Sequence, residues 1–110
     1  MKLLVVITAE TYPIDLVRFI GERYDELIIP GGDEFSDLPE YYADAMQKSK
    51  HVIYPKYHIY EKEEAVEQRN REIVEISDGV LVIRDKKTDF TESVINYAQK
   101  LGKKLEYVNI

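Results

Sequence analysis

The sequence has 110 residues, 45% of them hydrophobic and 33% charged, which is enough for one hydrophobic core and too little for two. With 21 acidic against 15 basic residues the formal charge is −6, which disfavours tracking a nucleic-acid backbone, and no apolar run reaches the roughly 20 residues needed to span a membrane. Cysteine is absent, so disulfides, thiolate catalysis and Cys-ligated metal centres are excluded.

The apolar pattern changes period repeatedly along the chain. Residues 2–8 are an almost continuous apolar run with two valines and an isoleucine, the pattern of a strand buried on both faces. This run is too short for the core of a signal peptide, and a cytoplasmic location is expected. Thr11-Tyr12-Pro13 opens a helix whose apolar positions are Leu16, Val17, Ile20 and Tyr24. Residues 26–30 form a second strand, stopped by Pro30-Gly31-Gly32. Asp37-Leu38-Pro39-Glu40 has the form of a capping box and starts a second helix with Leu38, Tyr42, Ala45 and Met46 facing inward. A third strand covers 51–54 and ends before Pro55, and a third helix runs from about 61 to 77. Residues 79–84 give a fourth strand. Asp89-Phe90-Thr91-Glu92 is a second capping-box pattern, and the helix after it carries Val94, Ile95, Ala98 and Leu101, with Gly102 as its stop. A fifth, weaker strand covers 105–108.

Strands that alternate strictly with helices imply a parallel sheet covered on both faces by right-handed crossovers. The expectation is an α/β fold: a single three-layer, Rossmann-like domain over 1–110, with a five-stranded parallel sheet in the order 3-2-1-4-5. Ligands of such sheets bind beyond the carboxyl ends of the strands, where the order reverses, here between strands 1 and 4. The loops at 8–13 and 84–91 flank that point, and those at 31–37 and 55–60 form the adjoining rim.

Several residues near this end have chemistry to offer. Gly31 and Gly32 suit either a tight turn or a close approach of backbone to ligand. Asp37 is either a helix cap or a ligand contact. Arg69 and Asn70 lie on or beside the inward rows of the third helix, Ala65-Arg69-Ile73-Ile76 and Val66-Asn70-Val74. A buried arginine needs a carboxylate, carbonyl or phosphate partner, and Asp78 and Asp37 are the internal candidates. Thr88 and Thr91, ahead of the fourth helix, suit either capping or an anion. His58 has no second ligand at metal spacing, so no metal site is expected, and the sequence identifies no cofactor. Tyr57 and Tyr60 suit stacking on a base or packing over the sheet edge. Nucleophile-elbow, zincin, Walker and G-x-G-x-x-G motifs are all missing.

The combination of Gly31-Gly32 after strand 2, a strand ending at proline, Arg69-Asn70 on helix 3, Asp78 before strand 4 and a Thr88-x-x-Thr91 turn resembles the SLOG superfamily. It is most similar to the small YspA-type members, relatives of the DprA and Lonely Guy proteins, over nearly the whole of 2–108. The resemblance implies binding of a nucleotide or nucleotide-derived ligand, with Glu10, Gly31, Gly32, Asp37, Arg69, Asn70, Thr88 and Thr91 around it. The sequence departs from the family pattern in three turns. Asp33 and Phe35 replace an alanine and a glycine after strand 2, Phe90 replaces a glycine after strand 4, and Thr8-Ala9-Glu10 replaces Gly-Ser-Arg after strand 1.

Three functions follow from this reading. The leading one is a binding module for a nucleotide-related small molecule. The second is a Lonely Guy-like nucleoside 5′-monophosphate N-glycosidase with Glu10 or Asp33 as its acid. The third is a ligand-free interaction module in which Phe35 and Phe90 cover the old pocket. A homodimer is an expected assembly.

Overall fold

The structure, a computed structural model, describes residues 1–8, 16–20, 22, 24–32 and 37–109. Its elements run in the order β1 (Lys2–Ile7), α1 (Leu16–Phe19), β2 (Glu26–Pro30), α2 (Asp37–Ala45), β3 (Ser49–Ile53), α3 (Lys62–Glu75), β4 (Gly79–Arg84), α4 (Asp89–Lys100) and β5 (Lys104–Asn109). All five strands are parallel and lie in the order β3-β2-β1-β4-β5. Leu4 pairs with Ile28 on one side and with Val80 on the other, which fixes the register at the centre of the sheet. Among the described residues no helix is long and apolar enough to cross a membrane.

Alternation along the strands divides the core in two. Val5, Ile7, Leu27, Ile29, Leu81 and Ile83 face α1 and α2, where they meet Leu16, Ile20, Tyr24, Tyr42 and Ala43. Leu4, Val6, Ile28, Val80 and Val82 face α3 and α4, where they meet Ile73, Val74, Val94, Ile95 and Ala98. The result is a three-layer, Rossmann-like α/β sandwich.

The helices bear out the expected periods but shift some inward faces. On α2 the buried residues are Pro39, Tyr42 and Ala43, whereas Leu38, Ala45 and Met46 are exposed. The helix begins at Asp37, and Pro39 in its first turn sets the row at i, i+3 and i+4 that meets the sheet. Val17, Ile76 and Leu101, expected inward, are also exposed. Leu101 follows the last helical residue, where the chain turns through Gly102 at φ +67°. The cap of α4 lies one residue earlier than expected. Thr88 and Thr91 form the capping box, each side chain bonded to the other's backbone N–H, and Glu92 is released for another role. Asp78 accepts the Lys2 N–H at 2.7 Å and so ties the start of β4 to that of β1.

Gly79 opens β4 beneath the Tyr24 ring. A Cβ there would stand 2.5 Å from the tyrosine oxygen, and Tyr24 is buried. Gly79→Ala is expected to lower stability by about 1–3 kcal/mol, the usual cost of overpacking a core, read as a reduced urea midpoint at unchanged m-value.

Candidate functional site

Polar burial is concentrated at one end of the sheet. Thr8, Arg69, Asn70, Arg84 and Thr91 are buried there, and Ser77 is the other buried polar residue among the described ones. Thr8 follows β1 and Arg84 ends β4. The Thr8 N–H donates to the Ile83 carbonyl at 2.9 Å, so Thr8 stands opposite Arg84 at the point where the strand order reverses. Leu4 and Val6 face α3 and α4, and Thr8 continues that alternation. Its Oγ1 is buried with no hydrogen-bond partner among the described residues, although buried hydroxyls nearly always have one.

Arg69 reaches the same end from α3. Nη1 donates to the Gly31 carbonyl at 2.8 Å, and Nε donates to Asn70 Oδ1 at 2.9 Å. Its guanidinium carbon lies 5.1 Å from the centre of the Phe90 ring, a cation–π distance. Arg69 and Asn70 therefore occupy the inward face, as the helical spacing implied, and Asn70 orients the arginine. The Gly-Gly turn has two structural causes. Gly31 lies flat against the Tyr54 ring, where a Cβ would be 2.7 Å from its carbons, and Gly32 has φ +78°.

Arg84 was not singled out from the sequence. Its side chain is 4% exposed and bonds Glu92 at 2.6 Å, Asn109 at 2.9 Å and Thr91 Oγ1 at 3.3 Å. The Tyr107 ring lies 5.5 Å from its guanidinium carbon. The available signal was a cation at the end of a strand otherwise buried on both faces, the sequence Val-Leu-Val-Ile-Arg.

The structure thus brings together Gly31, Arg69 and Asn70 on one side and Thr88 and Thr91 on the other, with Phe90 between them. Thr88 and Thr91 spend their hydroxyls on the cap and on Arg84. In the first turn of α4, the N–H groups of Asp89 and Phe90 have no partner among the described residues. Gly32 and Asp37 are exposed beside this group. Glu10, Asp33 and Phe35 lie outside the described residues. Tyr57 and His58 are exposed, and His51, in the middle of β3, bonds Glu26 at 3.2 Å. Among the described residues no three histidines or carboxylates converge as metal ligands would.

No family model, curated protein or solved structure matches the chain.

The Arg84–Glu92 pair is unequal, because Glu92 is 43% exposed and Arg84 is not. Removing the carboxylate strands a buried cation, whereas removing the arginine leaves an acid that can turn into water. Glu92→Ala is expected to cost about 2 kcal/mol, below the ~3–5 kcal/mol of a fully buried pair. Arg84→Met, which keeps the aliphatic stem, is expected to cost about 1 kcal/mol or less. The reverse order in urea unfolding would show that Arg84 is hydrated.

Proposed function

We propose that the chain is a binding module for a small anionic molecule, a nucleotide or nucleotide-derived compound, held beyond the carboxyl ends of β1, β2 and β4. The observation that carries this reading is the Thr8 hydroxyl, buried at the reversal of strand order and unpartnered among the described residues. A buried polar group without a partner costs free energy on folding. Such a cost is characteristic of a group kept for a ligand. The buried guanidinium of Arg69 lies at the same end of an acidic protein and offers N–H donors there. The unpartnered amides of Asp89 and Phe90 add donors at a helix start. The nucleotide class rests on the resemblance to the SLOG superfamily, to which we assign the chain on the turns at 31–32 and 88–91 and on Arg69-Asn70 of α3.

A second reading is favoured by Phe90. Its ring lies against the Arg69 guanidinium, and an aromatic side chain there takes room that a glycine would leave open. In that reading the module binds no small molecule and acts through contacts with a protein.

Two measurements separate these readings. A nucleotide at about 100 times its dissociation constant adds roughly 2.7 kcal/mol, a rise in melting temperature on the order of 10 °C at this size. A panel of nucleoside mono-, di- and triphosphates is expected to contain one such compound; a flat response throughout favours the interaction module. Thr8→Val removes the unpartnered hydroxyl at nearly constant volume. The variant is expected to be more stable than the parent by about 1 kcal/mol without ligand and to bind the active compound at least tenfold more weakly. A variant that is destabilised and binds normally would show that the hydroxyl serves the fold alone.

A further inference from the structure

A groove of about 190 Å³ runs along α3 on the side of the edge strand β3, apart from the reversal of strand order. Ala65, Gln68, Arg69 and Glu72 line it from the helix at spacings of three and four, and Tyr54 and Tyr60 from the loop after β3. Ala65 is buried and small, and leaves the groove open at its floor. Tyr54 lies flat on Gly31, yet the residue remains 62% exposed. A ring fixed on one face and open on the other is a ready stacking platform. Gln68 offers both donors and an acceptor, and Glu72 offers acceptors alone. Arg69 lines the groove and also bonds Gly31 at the end of β2, so one side chain connects the groove to the buried polar cluster.

From this arrangement we propose that the groove is the seat of a planar heteroaromatic ring. The ring stacks on Tyr54 or Tyr60 and hydrogen-bonds at its edge to Gln68 and Glu72. The proposal rests on the binding-module reading and names the part of the ligand which that reading leaves open. Size argues for a single ring system, since whole small-molecule sites occupy about 300–1,000 Å³. Chemistry argues for a ring with donors and acceptors on its edge, of which nucleobases are an example, because a hydrocarbon would leave the amide and carboxylate unpaired.

The test uses the four common nucleosides, which carry the ring without phosphate, and ribose 5-phosphate, which carries the anion without the ring. Binding is followed by the backbone amide resonances of the isotope-labelled protein. A nucleoside is expected to shift the amides of Tyr54, Tyr60 and Gln68. Tyr60→Ala, at a half-buried position, and Gln68→Ala, at an exposed one, are expected to weaken that binding about tenfold or more, the usual scale for loss of a stacking ring. Both are expected to leave the response to ribose 5-phosphate unchanged. If ribose 5-phosphate binds and no nucleoside does, the groove proposal is overturned and the anion site stands. If nucleosides shift the groove amides and ribose 5-phosphate has no effect, the groove stands and the anion site does not. Binding by both variants at parental strength also overturns the groove proposal, because the ring then sits elsewhere.

Discussion

A strand covered on both faces has no solvated side on which to carry a polar group. That constraint governs β1, β2 and β4, the three inner strands of the sheet. Their interiors are wholly apolar, and polar residues in or beside them lie at the ends, as Lys2, Glu26, Thr8 and Arg84 do. Parallel pairing then aligns the carboxyl ends of all five strands on one side of the molecule. Polar groups displaced from separate strands are thereby collected in one place. The buried polar cluster is a product of strand direction as much as of the residues in it.

The two buried arginines of that cluster are accommodated differently. Arg84 is met by a carboxylate, a hydroxyl, an amide and a ring. It joins β4, β5 and the first turn of α4, and its ties are those of a clamp. Arg69 is held by a backbone carbonyl, by its own neighbour and by the Phe90 ring.

The strand boundaries of β2 and β4 were legible to the residue because each apolar run is closed by a residue that sheets disfavour or by a charge. Pro30 and the following glycines close β2, and Arg84 closes β4. The edge strands were legible only as shorter runs. Ser49, Lys50 and Lys104 are solvated and give no apolar signal, although the ladder includes them. Helix faces failed where a helix covers the sheet with a narrow stripe. On α2 a one-residue rotation exchanges Leu38 for Pro39, and hydrophobicity favours the wrong choice. At the site, Arg69 was legible because a cation inside a four-residue apolar row is anomalous. Thr8 and Arg84 were not, since a polar residue at the end of an apolar run reads as a boundary. Only pairing β1 with β4 turns two boundaries into neighbours.

Phe90 links these points. Its ring packs against the core formed with α3 and α4 and also meets the Arg69 guanidinium. A glycine at this position would lower the apolar contact of α4 and open a path to the free amides of its first turn. The phenylalanine instead stabilises the helix start and narrows the approach to those amides, while its face holds Arg69 in place. An arginine so held keeps its stem along the α3 groove and its charged end at the close of β2. Phe90 therefore ties the start of α4 to Arg69, and through that side chain to the tyrosine-lined groove that it borders.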